Sequence, residues 1–145
     1  MPKPETKPRA RTKTDPAVSR AFAIEAARLL ADDKCEDVVV LDVRGVSHVT
    51  DFIVIGTGTS ERQMRSTLSN LDDIGAQHGF TAFRTSDDAR ATWLLADFVD
   101  VVVHVFEPNT RAHYDLEMLW GDAKKVPWER PAGAKREPAA RKPRG

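Results

Sequence analysis

The stretch with the clearest claim to chemistry is Gly56-Thr57-Gly58-Thr59-Ser60. It follows an apolar run, Phe52-Ile53-Val54-Ile55, and leads into a segment with helical spacing. A glycine-rich turn entering a helix can cradle a phosphate, because the first N–H groups of a helix have no intrahelical acceptor and its N-terminus is positive. The P-loop lysine is absent here, and the dinucleotide glycine pattern is not completed. A Gly-Ser helix entry also occurs in nucleotidyltransferases, which need paired carboxylates on a following strand to hold metal ions. Asp97 and Asp100 stand singly, as do Asp42 and Asp51. A structural turn and helix cap is therefore the favoured reading, with Gly58 expected at positive φ. A nucleotidyltransferase-like enzyme binding a nucleoside triphosphate at Gly58-Thr59-Ser60 is the alternative.

The histidines are His48, His78, His104 and His113, and no two of them have metal-site spacing on one element. Cys35, the single cysteine, has no nucleophile motif around it and reads as an inert small hydrophobe. The residues thus imply no catalytic constellation, no metal site and no cofactor. Trp93, His104, Phe106 and Tyr114 suggest a binding face instead. By the two-residue period of a strand, Trp93, Leu95 and Asp97 share one face of theirs. Val102, His104 and Phe106 likewise share one face of the next.

These residues need elements to position them. Asp15-Pro16 reads as an N-cap and first helical position, with Val18, Phe22, Ala26, Leu29 and Leu30 at helical spacing to about Asp32. Val38–Val43 and Phe52–Ile55 read as an antiparallel hairpin. A long helix follows, its buried face Met64, Leu68, Leu71 and Ile74, its start a Ser60…Gln63 capping box and its stop Gly79. Phe80 to Arg84 is a candidate short strand, and Thr85 to Thr92 a polar loop. Trp93–Asp97 and Val101–Phe106 form a second hairpin. Glu107-Pro108-Asn109 reads as a turn and Thr110 as the N-cap of a last helix. That helix carries Tyr114, Leu116, Met118, Leu119 and Trp120, more apolar surface than one narrow stripe can bury. Tyr114 and Trp120 either clamp it to the sheet or anchor a partner. Pro127-Trp128 closes the ordered part. Helices mixed with strands in this order give an α/β fold with a mixed sheet and flanking helices.

The chain of 145 residues suits one domain, and 41% hydrophobic residues supply one core. A single cysteine permits no internal disulfide, which fits a reducing compartment. No apolar run can cross a bilayer, and MPKPETKPRARTK has no apolar signal region. The sequence therefore reads as cytoplasmic, with no membrane partner. Its net charge of zero conceals a division. Residues 1–15 and 124–145 hold 13 basic and 4 acidic residues, leaving 9 basic and 18 acidic in 16–123. An acidic middle favours a basic partner surface, and basic ends favour polyanions. The ends, 1–15 and 129–145, are expected to be disordered tails around a domain at 16–128, because Lys, Arg, Pro and Ala cannot bury enough apolar surface to order them.

Three segments carry a resemblance: LDVRGVSHVTDFIVIGTGTS at 41–60, WLLADFVDVVVHVF at 93–106 and RAHYDLEMLWGDA at 111–123. Together they resemble the ribosomal silencing factor family, also called Iojap-related, over about residues 17–128. The resemblance implies a nucleotidyltransferase-like fold without the catalytic acids. It also implies binding to the large ribosomal subunit through its fourteenth protein, where the factor blocks joining of the small subunit and represses translation when nutrients are scarce. By motif, the implied contact residues are Trp93, Leu94, His104, Phe106 and Tyr114, and the free protein is implied to be a homodimer. The chain departs from the family at Thr85-Ser86-Asp87-Asp88, where Glu-Gly is common. The basic tails lie outside the family core and could contact ribosomal RNA through its phosphates, without sequence readout.

Overall fold

The computed structural model describes residues 15–47, 49–81, 84–87, 93–114, 121 and 123–131. In chain order these form α1 (Pro16–Asp32), β1 (Glu36–Asp42), β2 (Phe52–Thr57), α2 (Glu61–Gln77), β3 (Arg84–Asp87), β4 (Trp93–Asp97), β5 (Val101–Phe106), α3 (Pro108–Tyr114) and β6 (Lys124–Lys125). The strands make one mixed sheet in the order β3-β4-β5-β2-β1-β6. β2 and β5 run parallel, and the other neighbouring pairs are antiparallel. The α/β class, both hairpins and the flanking helices are as the sequence predicts.

Local chemistry sets the helix ends. The Asp15 carboxylate accepts the Ala17 N–H at 2.9 Å, and Pro16 opens α1. At the far end Lys34 turns left-handed (φ 79°). Its N–H then reaches the Ala31 carbonyl and that of Cys35 the Leu30 carbonyl, satisfying two otherwise orphaned acceptors. α2 ends the same way through Gly79 (φ 83°), with Phe80 donating to Gly75 at 2.7 Å. α2 starts with the Ser60 hydroxyl accepting the Gln63 N–H at 3.0 Å. The return arm of the cap is displaced by one residue, since Gln63 Oε1 accepts from Thr59 rather than Ser60.

α1 and α2 pack on one face of the sheet. Phe22 of α1 lies at the centre, stacked on Phe80 at 4.6 Å and edge-on to Phe98 at 4.9 Å. Ala23, Ala26, Leu30, Met64 and Leu71 meet Val40, Phe52, Val54, Leu94, Val103 and Val105 around it, all fully buried. Leu68, expected on the buried face of α2, is only partly buried at the rim of this cluster.

Four details differ from the sequence reading. The third strand lies at Arg84–Asp87, not Phe80–Arg84; Phe80 is a core ring, and pairing of Thr85, Ser86 and Asp87 with β4 overrides their weak strand preference. The last helix opens at Pro108, so Thr110 lies inside it and is not the cap. The fixed φ of proline suits a first helical position, and the Glu107 carboxylate accepts the Asn109 N–H at 3.0 Å. Leu116, Met118, Leu119 and Trp120 lie outside the described residues. Gly58 has no positive φ; among the described glycines that conformation belongs to Gly45 and Gly79. Finally, β6 extends the sheet beyond β1, and the chain after it straps across α1. Trp128 donates its indole N–H to the Val38 carbonyl at 3.0 Å, and its own carbonyl accepts from Arg28 at 2.7 Å.

Candidate functional site

β4 and β5 pair in a register that sets Trp93 opposite Phe106, Leu95 opposite His104 and Asp97 opposite Val102. All six side chains therefore point to the sheet face away from α1 and α2, bringing together the two faces expected from strand period. Leu41, Val43, Ile53, Ile55 and Phe106 form a second buried cluster on this side, with Val39, Trp93 and Ala123 partly buried against it. Three rings form a ladder at its edge. Trp93 lies 4.8 Å from Phe106 and 5.9 Å from His104, and His104 lies 5.9 Å from Phe106.

The ladder has one polar bond. The Trp93 indole N–H donates to His104 Nδ1 at 3.1 Å. Nδ1 must then be unprotonated, so the bonding assigns the ring proton to Nε2. His104 is 9% exposed, and burial pulls its pKa down from 6.5 to about 4, with the Asp97 carboxylate opposing the shift. The imidazole is neutral at pH 7, an acceptor in a mostly apolar patch and not a charge.

The implied contact residues divide on this geometry. Trp93 is half-buried at the edge of the ladder. His104 and Phe106 stand beside it, the phenyl ring only 1% exposed and supporting the indole. Leu94 is a correction: with 0% exposure it lies on the opposite, helix-covered face, because strand neighbours alternate. It is a residue of the helix-covered core. Tyr114 is the last residue of α3, and its side chain and that of His113 lie outside the described residues, as does His48. α3 is tied to the sheet by Arg111, which donates to the Asp37 carbonyl at 2.6 Å and the Thr57 hydroxyl at 2.7 Å. Asp37 is reachable because a bulge between Glu36 and Val39 turns it left-handed (φ 50°). Sequence reasoning missed this clamp; no periodic signal marks an arginine whose acceptors lie on two other strands.

The glycine turn is filled by its own chain. A Cβ on Gly58 would lie 2.1 Å from Met64 Cγ, and one on Gly56 2.6 Å from Leu30 Cδ2, so both glycines serve close packing. Gln63 occupies the Thr59 amide and, through Nε2, reaches the Asp33 carbonyl at 2.7 Å and Cys35 Sγ at 3.3 Å. Gly58 N–H is taken by the Phe106 carbonyl. These contacts occupy amides that a triphosphate would need. Burial raises the Cys35 thiol to about 11, so it holds its proton and is a poor nucleophile. Among the described residues no group of three His, Cys, Asp or Glu side chains could hold a metal ion. No helix there is long and apolar enough to cross a membrane.

Comparison with known proteins identifies the family. The family described as "Ribosomal silencing factor during starvation" matches residues 16–144. The ribosomal silencing factor RsfS of Halalkalibacterium halodurans is 40% identical over 104 residues, covering 72% of this chain and 89% of that one. The chloroplastic protein Iojap of Zea mays is 37% identical over 123 residues, covering 85% of this chain and 53% of the relative. A crystal structure of a Chromobacterium violaceum protein superposes with a TM-score of 0.66 at 29% identity, over 83% of this chain and 97% of that one. With the match running through all three sheet-and-helix motifs, this chain belongs to the RsfS family of ribosomal silencing factors.

Proposed function

We propose that this protein is a non-enzymatic repressor of translation. It acts in the cytoplasm on the large ribosomal subunit, docks on the fourteenth protein of that subunit and excludes the small subunit by occupying the surface where it would join, chiefly under nutrient limitation. Membership of the silencing-factor family carries the ribosomal role. The ring ladder of Trp93, His104 and Phe106 supports the docking face: a half-buried aromatic at the start of a strand, backed by buried rings, is the type of residue that anchors interfaces. Tyr114 joins it in this reading, at the end of the helix that follows Phe106. Leu94 does not.

The domain spans 16–128 in this proposal, and the basic segments 1–15 and 129–145 add phosphate attraction to ribosomal RNA, a contribution that salt screens. The acidic middle of the chain complements a basic ribosomal protein. The protein is a homodimer when free. The test is sedimentation of purified large and small subunits with and without the protein. It should travel with large subunits alone and lower the amount of joined ribosome. Equal co-sedimentation with both subunits, or undiminished joining at saturating protein, overturns the proposal.

A further inference from the structure

We propose that His104 is a positioning residue for Trp93, acting on the partner through the indole and not by its own contact. The inference rests on the docking face proposed above. At a half-buried strand position an indole has several rotamers open to it, and a partner that needs one of them must bear the cost of selecting it. Here the register places Trp93 diagonally across from His104, close enough for side chains to bond. The indole N–H meets Nδ1 at 3.1 Å, while Phe106 supports the ring at 4.8 Å. Two ring contacts and one directional bond fix the indole before any partner arrives. His104 is 9% exposed, leaving it little surface for a direct contact. The Trp93 donor is committed internally, so the indole is held by the protein and not by the ribosome.

The experiment uses the full chain and purified large subunits. Wild type, His104→Phe, His104→Asn, Trp93→Ala and the double variant Trp93→Ala/His104→Phe are compared in affinity and by proton–nitrogen NMR of the indole N–H groups, with the Trp93 signal assigned from its loss in Trp93→Ala. His104→Phe keeps a ring but no acceptor; His104→Asn keeps an acceptor near Nδ1. The first should shift the Trp93 indole signal, speed its exchange and weaken binding about fivefold, the scale of one hydrogen bond. The second should restore the signal and most of the affinity. In the Trp93→Ala background His104→Phe should cost nothing more, because the residue acts only through the indole. An equal loss in both backgrounds overturns the proposal, as does wild-type affinity with a shifted indole signal. Should His104→Phe not fold, His104→Asn decides: a wild-type indole signal with weakened binding overturns the proposal, and a wild-type signal with wild-type binding supports it. Trp93→Ala binding as tightly as wild type overturns the docking face itself, an outcome distinct from the others.

Discussion

The two faces of the sheet are built from the same strands and differ in what they leave unfinished. On the helix-covered side every strand residue from Val38 to Val105 in the central cluster is sealed, and Phe22, Phe80 and Phe98 close it with ring contacts. On the other side the inner residues Leu41, Ile53 and Ile55 are just as buried, but Trp93, Leu95, Asp97 and Val102 remain half-buried. Two polar groups there are satisfied locally, the Trp93 indole N–H by His104 and the Val99 amide by the Asp97 carboxylate at 2.8 Å. One face spends its aromatics on stability, the other holds them ready at its edge. A substitution on each should therefore separate folding from docking.

Phe22→Ala and Trp93→Ala are the pair that could break this contrast. The first removes the central ring of a fully buried cluster and should cost about 3–5 kcal/mol of stability, with the folded fraction binding normally. The second should cost the isolated protein far less but weaken large-subunit binding by roughly 2 kcal/mol or more. Denaturant midpoints and affinities on both variants decide it; equal loss of stability from the two would erase the distinction between the faces.

Acid offers a second lever that acts on one face. His104 has its pKa pulled from 6.5 to about 4 in the fold, whereas the unfolded chain keeps the ordinary value. The unfolded state then binds the proton more readily, so this contribution to stability is complete above pH 6.5 and drains as pH falls toward 4. The span corresponds to roughly 3 kcal/mol. Chemical denaturation of wild type and His104→Phe from pH 7.5 to 4 should show that slope in wild type and lose it in the variant. Parallel curves would mean that the buried imidazole titrates normally.

Much of this was legible in the sequence, and the failures are informative. The β4 and β5 limits were readable residue for residue, because β5 is a dense β-branched run and β4 is a short apolar run that ends at Asp97 just before it. The end of α2 was marked by Gly79, but α1 stops by the same hydrogen-bonding turn through Lys34, which no composition rule flags. Val99 (φ 77°) likewise makes the β4–β5 turn without glycine, held by Asp97. β3 was hidden because Thr-Ser-Asp is a strand only by virtue of its partner. At the candidate site, period grouped Trp93 with Leu95 and Asp97, and His104 with Val102 and Phe106, and the β4–β5 register joins the two sets; motif transfer put Leu94 beside them, where period alone places it on the reverse face. The reason Gly58 is required was also out of reach, since it depends on a methionine six residues on.

That requirement yields a smaller, sharper effect. Gly58→Val should cost about 1–3 kcal/mol by overpacking against Met64, which is 1% exposed and has little room to give. Pairing it with Met64→Ala should recover part of the loss in thermal melting. Because the clash is on the helix-covered side, subunit affinity of the folded protein should not change. Unaltered melting in Gly58→Val would revive the glycine turn as a ligand site.

The strap at the C-terminal end gives the smallest effect and tests where the fold stops. Arg130 donates through both terminal nitrogens to the two oxygens of Asp32, each at 3.1 Å, and both side chains are partly shielded. A paired fork of this kind is stronger than an open surface ion pair but is still screened by salt. Arg130→Ala should therefore lower stability by about 1 kcal/mol at low ionic strength, and by less at high salt. Truncation after residue 131 should leave that stability intact, whereas truncation after Trp128 should reproduce the Arg130→Ala loss. Both truncations should weaken large-subunit binding at low salt if the basic segment attracts phosphate, whereas Arg130→Ala alone should weaken it only slightly. Equal melting of the two truncated chains would place the end of the cooperative unit at Trp128, making the Arg130–Asp32 contact energetically silent.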